Sequence, residues 1–402
     1  MADFGFTQLH QDKETKARAG IIHTPHGDIE TPAFVPVGTQ GSVKSLTPYE
    51  LNLLDVQLFI VNTYHMYLRP GIEVVKKLGG LHSFMNWQKP LVTDSGGFQV
   101  FSLARPTFKG RTLQGGIKQD QPEQKPQLVK ITEDGVEFRS HWDGSKHLFT
   151  PESSMQWQWD LGSDIHIAFD DCTSYPVTPE KARISMERTH RWAKRSLEEH
   201  VRVSSLEFRA SRPYQALYGS IQGSVYEDLR CESARYISSM DFDGFAIGGV
   251  AVGESKKEMA QVLGWVTPLL PPEKPRHLLG VGEIDDIFAL VERGVDTFDC
   301  VQPTRLARMG WLMVGKKSAK NYILDLTKAA FAADKRPIDV TCGCYTCTHT
   351  SRAYIHHLFH VRELLAYRLA TIHNLYFVHR LVSNIREAIG EGTFLELKRE
   401  WL

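Results

Sequence analysis

The chain has 402 residues, of which 42% are hydrophobic and 23% are charged, values that are typical of a globular protein. Lysine plus arginine and aspartate plus glutamate each number 47, so the formal net charge is zero and contact with a nucleic acid requires a local basic patch. No apolar segment is long enough to span a bilayer, and the polar N-terminus lacks the apolar core of a secretory signal, so we expect a cytoplasmic protein.

The first predicted elements are a β-hairpin and eight strands. The hairpin is AGIIHTPHGDIETP, which turns near His26-Gly27. Eight apolar runs of strand length follow in the order PAFVPVGT, FIVNTYH, LVTDSGGF, HIAFDD, ALYGSIQG, GFAIGGV, RHLLGVG and TFDCVQP. Helical patterns separate most of them, and one opens at Thr47 with Glu50 three residues later as a capping box. The alternation predicts the α/β class and an irregular (β/α)8 barrel, or TIM barrel.

Many of the eight strands end in a polar or glycine-rich tip. A (β/α)8 barrel builds its active site at the carboxyl ends of its strands, where these tips would meet. A doubly wound open sheet is the competing topology, but tips spread along the whole chain favour the barrel. After the third strand, about residues 104–127 are rich in Gly, Pro, Gln and Lys, a composition typical of a flexible excursion. Turn signals at Asp134-Gly135 and Asp143-Gly144 follow it.

A metal-binding pattern lies near the C-terminus. Cys342, Cys344 and Cys347 place three thiols within six residues, and one tight loop can then arrange three sulfurs around a tetrahedral ion. The fourth ligand stays open among the histidines that follow, which are His349, His356, His357, His360 and His373. A helix-borne histidine reaches the sulfurs with less strain than His349, and the alternative to a metal is a chance cluster of buried cysteines. Four protein ligands would hold one structural zinc ion per chain.

These patterns divide the chain into two predicted parts. Residues 1–335 form a catalytic barrel that carries the polar insertion. Residues 336–402 form a zinc-binding subdomain, with C-terminal helices that pack back on the barrel.

Carboxylates occupy three of the strand tips. Asp94 follows the third strand, Asp170 and Asp171 end the fourth, and Asp299 ends the last. Two opposed carboxylates can run a displacement at an anomeric carbon, in which one attacks C1′ and the other moves a proton. The alternative is that an aspartate at a strand end caps a helix or closes a turn. Three such tips in one chain favour a site.

Amide and guanidinium groups accompany these carboxylates. Gln222 and the Gly248-Gly249 pair offer amide groups suited to a purine edge, with a turn glutamine and packing glycines as the alternative. Arg305 and Arg308 lie just beyond the last carboxylate and could grip phosphate or a base edge. No phosphate-loop pattern follows a strand in this region. The basic helix around residues 181–195 is interpreted as a solvated face.

Several of these stretches resemble the bacterial-type queuine tRNA-guanine transglycosylases. They are DSGGFQVFSL, HWDGSKHLFTPE, FDDCTSYP, YGSIQGSVYEDLR, IGGVAVGE, LLGVGEIDDI, FDCVQPTR, the CxCxxC cluster and SRAYIHHLF…TIHN. The resemblance covers nearly the whole chain in the family's order. It implies exchange of guanine at the anticodon wobble position for a 7-deazaguanine, in tRNAs with a GUN anticodon (those for Asp, Asn, His and Tyr), by a homodimer with a structural Zn²⁺.

The resemblance also assigns roles to residues of this chain. Asp299 matches the nucleophile, Asp94 matches the general acid/base, and Phe98 matches an aromatic that stacks on the base. The base-binding positions are Asp94, Ser95, Gly96, Gly97, Phe98, Asp170, Cys172, Gln222, Gly248, Gly249, Val250 and Leu279. The RNA-binding positions are Gly280, Val281, Gly282, Glu283, Ile284, Asp285, Asp286, Thr304, Arg305, Leu306, Ala307 and Arg308. The zinc ligands are Cys342, Cys344, Cys347 and His373.

The chain departs from the family pattern near the base. Asp171, Val250 and Leu279 stand where bacterial members usually carry glutamate, leucine and methionine, and the insertion after the third strand is extra. Cys172 and Val252 resemble the bacterial form that takes the compact base preQ1, so preQ1 is the predicted incoming base, with direct use of queuine as the alternative.

Three other functions fit the sequence less well. A noncatalytic tRNA-binding partner subunit would tend to lack the catalytic aspartates. An archaeal-type enzyme would need further C-terminal domains. A barrel glycoside hydrolase would not need the basic stretch beside the nucleophile.

Overall fold

The computed structural model describes residues 4–103, 129–205, 213–316, 318–319 and 321–402. The insertion predicted at about 104–127 lies outside the described residues. The predicted hairpin is confirmed, and a strand that the sequence did not predict joins it to make a three-stranded antiparallel sheet. Its strands are β1 (Gly5–Gln11), β2 (Arg18–Thr24) and β3 (Gly27–Thr31).

Eight parallel strands form the barrel. They are β4 (Ala33–Pro36), β5 (Phe59–Val61), β6 (Leu91–Thr93), β10 (Ile165–Ile167), β11 (Ala216–Ile221), β12 (Gly244–Ile247), β13 (Arg276–Leu278) and β14 (Thr297–Cys300). From β5 onward each barrel strand pairs with the next along the chain, and β14 pairs with β4. A parallel bridge between Val37 and Ile60 joins the remaining two edges. This closed, sequential order confirms the predicted (β/α)8 barrel and excludes the open sheet.

The N-terminal sheet covers the amino ends of the barrel strands. Ile22 and Ile29 pack in one buried cluster with inward-facing barrel residues such as Val35. His26, in the turn between β2 and β3, contacts Asp164 at 2.7 Å between Nδ1 and Oδ1, and Asp164 directly precedes β10. One end of the barrel is thereby closed, and the carboxyl ends of the strands remain for a site.

Helices surround the barrel and bury apolar residues against it. They are α1 (Pro48–Leu53), α2 (Thr63–Leu68), α3 (Ile72–Lys77), α4 (Gly80–Met85), α5 (Gly97–Leu103), α6 (Pro151–Leu161), α7 (Pro179–Ser204), α8 (Glu227–Ser238), α9 (Lys256–Val266), α10 (Ile284–Val291) and α11 (Gln302–Arg308), with a 3₁₀ turn at Thr267–Leu269. The predicted capping box is present, because Thr47 accepts from the Glu50 N–H and Glu50 accepts from the Thr47 N–H. None of the described helices is long and apolar enough to cross a membrane.

A small antiparallel sheet follows the third barrel strand. It consists of β7 (Val129–Ile131), β8 (Val136–Arg139) and β9 (Lys146–Phe149), and its turns fall at the two predicted positions. Glu133, in the first turn, pairs with Arg188 and Arg191 of α7 at 3.0 and 2.8 Å. Its backbone carbonyl also accepts from Arg195. The basic face of α7 therefore anchors this sheet, instead of being only a solvated face as expected from the sequence.

The C-terminal part is mostly helical. It contains β15 (Trp311–Met313), β16 (Ile323–Asp325), a 3₁₀ turn (Ala329–Phe331), α12 (Tyr345–His349), α13 (Arg352–His360), α14 (Leu364–Glu391) and α15 (Phe394–Trp401). The long helix α14 packs against α11 and β4. Its buried Asn374 donates to the carbonyls of Pro303 and Trp311 and accepts from the Met313 N–H. These bonds fix α14 beside the carboxyl end of β14.

Candidate active site and metal centre

Asp94 lies directly after β6, among donors from three segments. The Thr63 and Gly96 N–H groups donate to Oδ1 at 2.9 and 3.1 Å. The side-chain amides of Asn62 and Gln99 donate to Oδ2. The sequence interpretation did not select Asn62, Thr63 or Gln99 as site residues, although the polar tip of FIVNTYH pointed to the first two. These donors hold the carboxylate in one orientation.

Among the described residues, Asp299 on β14 accepts hydrogen bonds at one oxygen. His277 Nε2 lies 3.2 Å from Oδ1, and the Gly280 N–H donates to the same oxygen at 3.1 Å. His277 Nδ1 in turn lies 2.9 Å from the Thr297 hydroxyl. The carboxyl group retains 14% exposure, so a ligand at the barrel mouth can reach it.

The two carboxylates interact with one another. Burial raises the pKa of Asp94 to about 7, and the negative charge of Asp299 contributes to that rise. The hydrogen bonds from Thr63 and Gly96 oppose it, because they favour the ionised form. A carboxyl group that titrates near neutral pH can both donate and accept a proton, as general acid/base chemistry requires.

A second pair of polar groups lies at the tips of β10 and β11. Gln222 Nε2 donates to Asp170 Oδ2 at 2.5 Å. Burial raises the pKa of Asp170 to about 6, the charge of Asp171 adds to this, and hydrogen bonds from Gln222 and Ser95 oppose it. Asp171 is turned to a different partner, because Arg188 of α7 donates to its Oδ2 at 2.6 Å. The structure therefore brings Asp170 to the site and leaves Asp171 outside it.

Gly248 and Gly249 lie directly over this pair. A Cβ on Gly248 would come within 2.6 Å of Gln222 Nε2, and one on Gly249 within 2.4 Å of Gln222 Oε1. Gly249 also has a φ of +64°, which disfavours other residues. Fully buried Arg230 donates to the carbonyls of Gly249 and Ile221 at 3.0 Å each. The sequence interpretation missed Arg230, because its place on helix α8 carries no signal that it reaches back to two strand tips.

The stretch from Ser95 to Phe98 covers the end of the loop after β6 and the first residues of α5. Ser95, Gly96 and Gly97 are buried. A Cβ on Gly97 would lie 3.2 Å from the Asp170 carbonyl oxygen, so a larger residue would require a shift of a few tenths of an ångström at this contact. Phe98 follows on α5 with 45% of its surface exposed, which leaves its ring free to stack.

The remaining predicted base-binding residues are apolar. Cys172 and Val250 are buried, and Leu279 is partly buried against the barrel interior. Val252, which the sequence linked only to the choice of incoming base, is buried as well. Cys172 and Val252 share one buried cluster.

The predicted RNA-binding stretch Gly280–Asp286 is anchored by a lysine. Lys256 Nζ lies 2.5 Å from Glu283 and 3.4 Å from Asp286, and it also contacts Asp285. Three carboxylates against one ammonium leave this segment negative, so its side chains disfavour a phosphate.

The second predicted RNA-binding stretch, Thr304–Arg308, lies on α11 directly after β14. Thr304 is buried while Arg305 is exposed. Arg308 donates to the Thr304 carbonyl at 2.9 Å. Both guanidiniums stand at the helix that follows the nucleophile candidate.

The three cysteines of the predicted metal site lie in one cluster, and His373 is the histidine that joins them there. His373 Nδ1 lies 3.7, 3.5 and 3.3 Å from the sulfurs of Cys342, Cys344 and Cys347. Tetrahedral zinc with bonds of 2.0–2.3 Å separates neighbouring N and S ligands by about 3.6 Å. His373 Nε2 lies 2.7 Å from the Met313 carbonyl oxygen, so it carries the proton and Nδ1 is free to bind a metal. The four residues therefore fit one tetrahedral ion.

Comparison with known proteins finds relatives along the whole chain. Residues 12–402 match the family model described as queuine tRNA-ribosyltransferase. A queuine tRNA-ribosyltransferase of Caldanaerobacter subterraneus subsp. tengcongensis is 48% identical over 402 residues, which cover 100% of this chain and 98% of the relative. Relatives of the same description from a Roseiflexus species and Lysinibacillus sphaericus are 46% and 47% identical, over 98% of this chain and 97% and 94% of their own lengths.

Proposed function

Because the chain belongs to the queuine tRNA-ribosyltransferase family, we propose that it exchanges guanine at the anticodon wobble position of tRNA for a 7-deazaguanine through a covalent bond between Asp299 and ribose. One observation carries the proposal: Asp94, whose pKa is raised to about 7, lies within electrostatic reach of Asp299. A nucleophile and a proton-transfer group are thus present at the same barrel mouth.

The exchange proceeds as two displacements. An oxygen of Asp299 attacks C1′ of the ribose, the C1′–N9 bond breaks, and its electron pair leaves with guanine, which Asp94 protonates. The incoming base then transfers its N9 proton to Asp94 and attacks C1′, and the C1′–oxygen bond breaks to restore the Asp299 carboxylate. Two inversions retain the configuration at C1′. The ribose stays attached to the enzyme while the bases change places.

Asp170, Gln222 and Gly249 bind the edge of the base, and Phe98 stacks on its face. The wobble nucleotide has to leave its stack to enter this pocket, and pairing with the base edge offsets the lost stacking. We propose preQ1 as the incoming base, because Cys172 and Val252 resemble the bacterial form that takes this compact base. Direct use of queuine is the alternative.

The tRNA substrates are those with a GUN anticodon, for Asp, Asn, His and Tyr, and the active form is a homodimer. Arg305 and Arg308 supply positive charge beside the nucleophile. A structural Zn²⁺ held by the cluster at Cys344 and His373 would cross-link the loop before α12 to α14. We place the protein in the cytoplasm, where thiols remain reduced.

The test is exchange of labelled guanine in tRNA-Tyr and tRNA-Asp transcripts, challenged separately with preQ1 and queuine. We expect exchange by the wild type, none by Asp299→Asn, and more rapid displacement of the label by preQ1. Asp241→Asn, at a fully exposed position, is the matched control and should exchange normally. Full activity of Asp299→Asn, or no adduct between Asp299 and RNA on a denaturing gel, would overturn the proposal.

A further inference from the structure

His277 is a buried polar residue that the proposed mechanism leaves without a role. It lies on β13 opposite Thr297 of β14, and its side chain is 3% exposed. Asp299 stands two residues beyond Thr297, on the same face of β14. The imidazole therefore lies between the hydroxyl of Thr297 and the carboxylate of Asp299.

The hydrogen-bond partners of the ring define its tautomer. An ionised carboxylate only accepts hydrogen bonds, so the nitrogen that faces Asp299 at 3.2 Å, Nε2, carries a proton. In the neutral ring Nδ1 is then an acceptor, and the Thr297 hydroxyl at 2.9 Å donates to it. This relay turns the N–H of His277 toward the carboxylate.

The two bonds to Asp299 end on one oxygen. His277 Nε2 and the Gly280 N–H both meet Oδ1. In the part of the chain that the structure describes, Oδ2 has no hydrogen-bond donor. Hydrogen bonds lower the basicity of the oxygen that accepts them, so Oδ2 is the better nucleophile of the pair.

We infer that His277 is a positioning residue that holds Asp299 by Oδ1 and presents Oδ2 to C1′. The inference rests on the proposed function. In the first step, a fixed carboxylate reduces the entropy lost on reaching the attack geometry. In the second step, the C1′–Oδ2 bond breaks and its electron pair returns to the carboxylate. The N–H of His277 then stabilises the charge that is restored on Oδ1.

A matched pair of substitutions separates the two nitrogens of the ring. The amide of His277→Gln reaches about as far as Nε2 and keeps a donor near Asp299, whereas the amide of His277→Asn reaches only as far as Nδ1. We expect His277→Asn to lower kcat and the rate of adduct formation by roughly 10- to 100-fold. The KM for tRNA should stay within about twofold of wild type, and His277→Gln should recover most of kcat.

Adduct formation, kcat and the melting temperature together distinguish failure of the proposed function from failure of the inference about His277. Wild-type enzyme that forms no Asp299–RNA adduct would remove the proposed function itself. The inference about His277 is wrong if wild type and His277→Asn form the adduct at the same rate. It is also wrong if His277→Gln and His277→Asn lose kcat equally while both variants melt at the wild-type temperature. Thr297→Val keeps the ring and removes only the partner of Nδ1, and it should lower kcat by a few-fold. This variant decides the question if both His277 variants fail to fold, since an unchanged kcat would then overturn the relay.

Discussion

At the scale of single residues, the site depends on two carboxylates with different surroundings. Asp94 is enclosed by donors on both oxygens, yet burial and the charge of Asp299 raise its pKa to about 7. Asp299 is held through one oxygen, and its other oxygen has no donor within the described ranges of the chain. The difference suits one group to proton transfer and the other to attack.

The raised pKa of Asp94 predicts opposite pH dependences for the two steps. Adduct formation needs Asp94 protonated, so its rate should fall as pH rises through about 7. Breakdown of the adduct by the incoming base needs Asp94 ionised, so its rate should fall as pH drops, and the fall should lie below pH 7 because the esterified Asp299 no longer contributes the charge that helps to raise the pKa of Asp94. Each of the two rates should change about tenfold per pH unit at pH values well beyond the pKa of Asp94. Rapid-quench measurement of each step between pH 5.5 and 8.5 tests this.

The control for the pH profile is Asp94→Asn, which has no group to titrate at this position. It should lower both rates by about 10²- to 10⁴-fold and remove the dependence through pH 7. A profile in Asp94→Asn that keeps the wild-type shape would assign the titration to another group.

The sequence predicted these two aspartates and missed His277 and Arg230 for a physical reason. Carboxylates at strand tips can be recognised in the sequence, because they are the polar residues at which apolar runs end. His277 lies within a strand pattern and Arg230 within a helical one, and each reaches the site only through closure of the barrel. Their function depends on neighbours far along the chain, which local pattern does not specify.

At the scale of secondary-structure elements, the local sequence pattern was sufficient to predict those strands that are strongly buried. All eight barrel strands were predicted because each is an apolar run bounded by turn residues. Strand β1 was missed because its burial is low and its side chains are mostly exposed, so it has no apolar face to signal a strand. Its pairing with β2 supplies stability that its composition does not show.

The small sheet β7–β9 leads to a prediction at this scale. Glu133 binds Arg188 and Arg191 of α7, and these guanidiniums hold the pKa of Glu133 down, at about 2. Glu133→Ala removes the carboxylate shared by two arginines, so the sheet should open more often. We expect backbone hydrogen exchange over residues 129–149 to accelerate several-fold, while exchange in the barrel strands stays unchanged.

Glu198→Ala is the matched control for the ion pairs between Glu133 and α7. Glu198 lies on the same helix and forms an exposed pair with Lys194 at 3.8 Å, a type of pair that contributes little. Exchange over residues 129–149 should equal wild type in this variant. Equal acceleration in both variants would show that α7 as a whole, rather than Glu133, governs the sheet.

At the scale of the whole molecule, two further elements pack against the barrel. The N-terminal sheet covers the amino ends of the strands, and α14 packs along β4 and α11. Sequence pattern predicted the hairpin, the barrel and the three cysteines, but it left the fourth metal ligand open among five histidines. The choice of His373 depends on how α14 docks, through Asn374 and the bond from His373 to the Met313 carbonyl.

This docking predicts that metal stability and substrate exchange are linked. His373→Ala removes the ligand that joins the cysteine loop to α14, so the bound zinc should fall from about one equivalent to near zero. Structural zinc contributes directly to folding, so the melting temperature should drop by several degrees. The exchange rate should drop as well, because Asn374 fixes α14 to the residues around Pro303 beside Asp299. Metal analysis, thermal melting and the labelled-guanine assay measure the three effects.

His349→Ala separates this prediction from a general sensitivity of the C-terminal region. His349 is the histidine nearest in sequence to the cysteines, but it is exposed and its Nδ1 lies 3.0 Å from the Tyr345 carbonyl oxygen. The variant should keep the metal, the melting temperature and the exchange rate, because the ring stacks on Tyr345 and does not belong to the cluster of three cysteines and His373. If His349→Ala loses zinc while His373→Ala retains it, the ligand set and the link between α14 and the active site are both wrong. If His373→Ala loses zinc but exchanges bases normally, the ligand assignment holds, and only the proposed mechanical link between α14 and Asp299 is wrong.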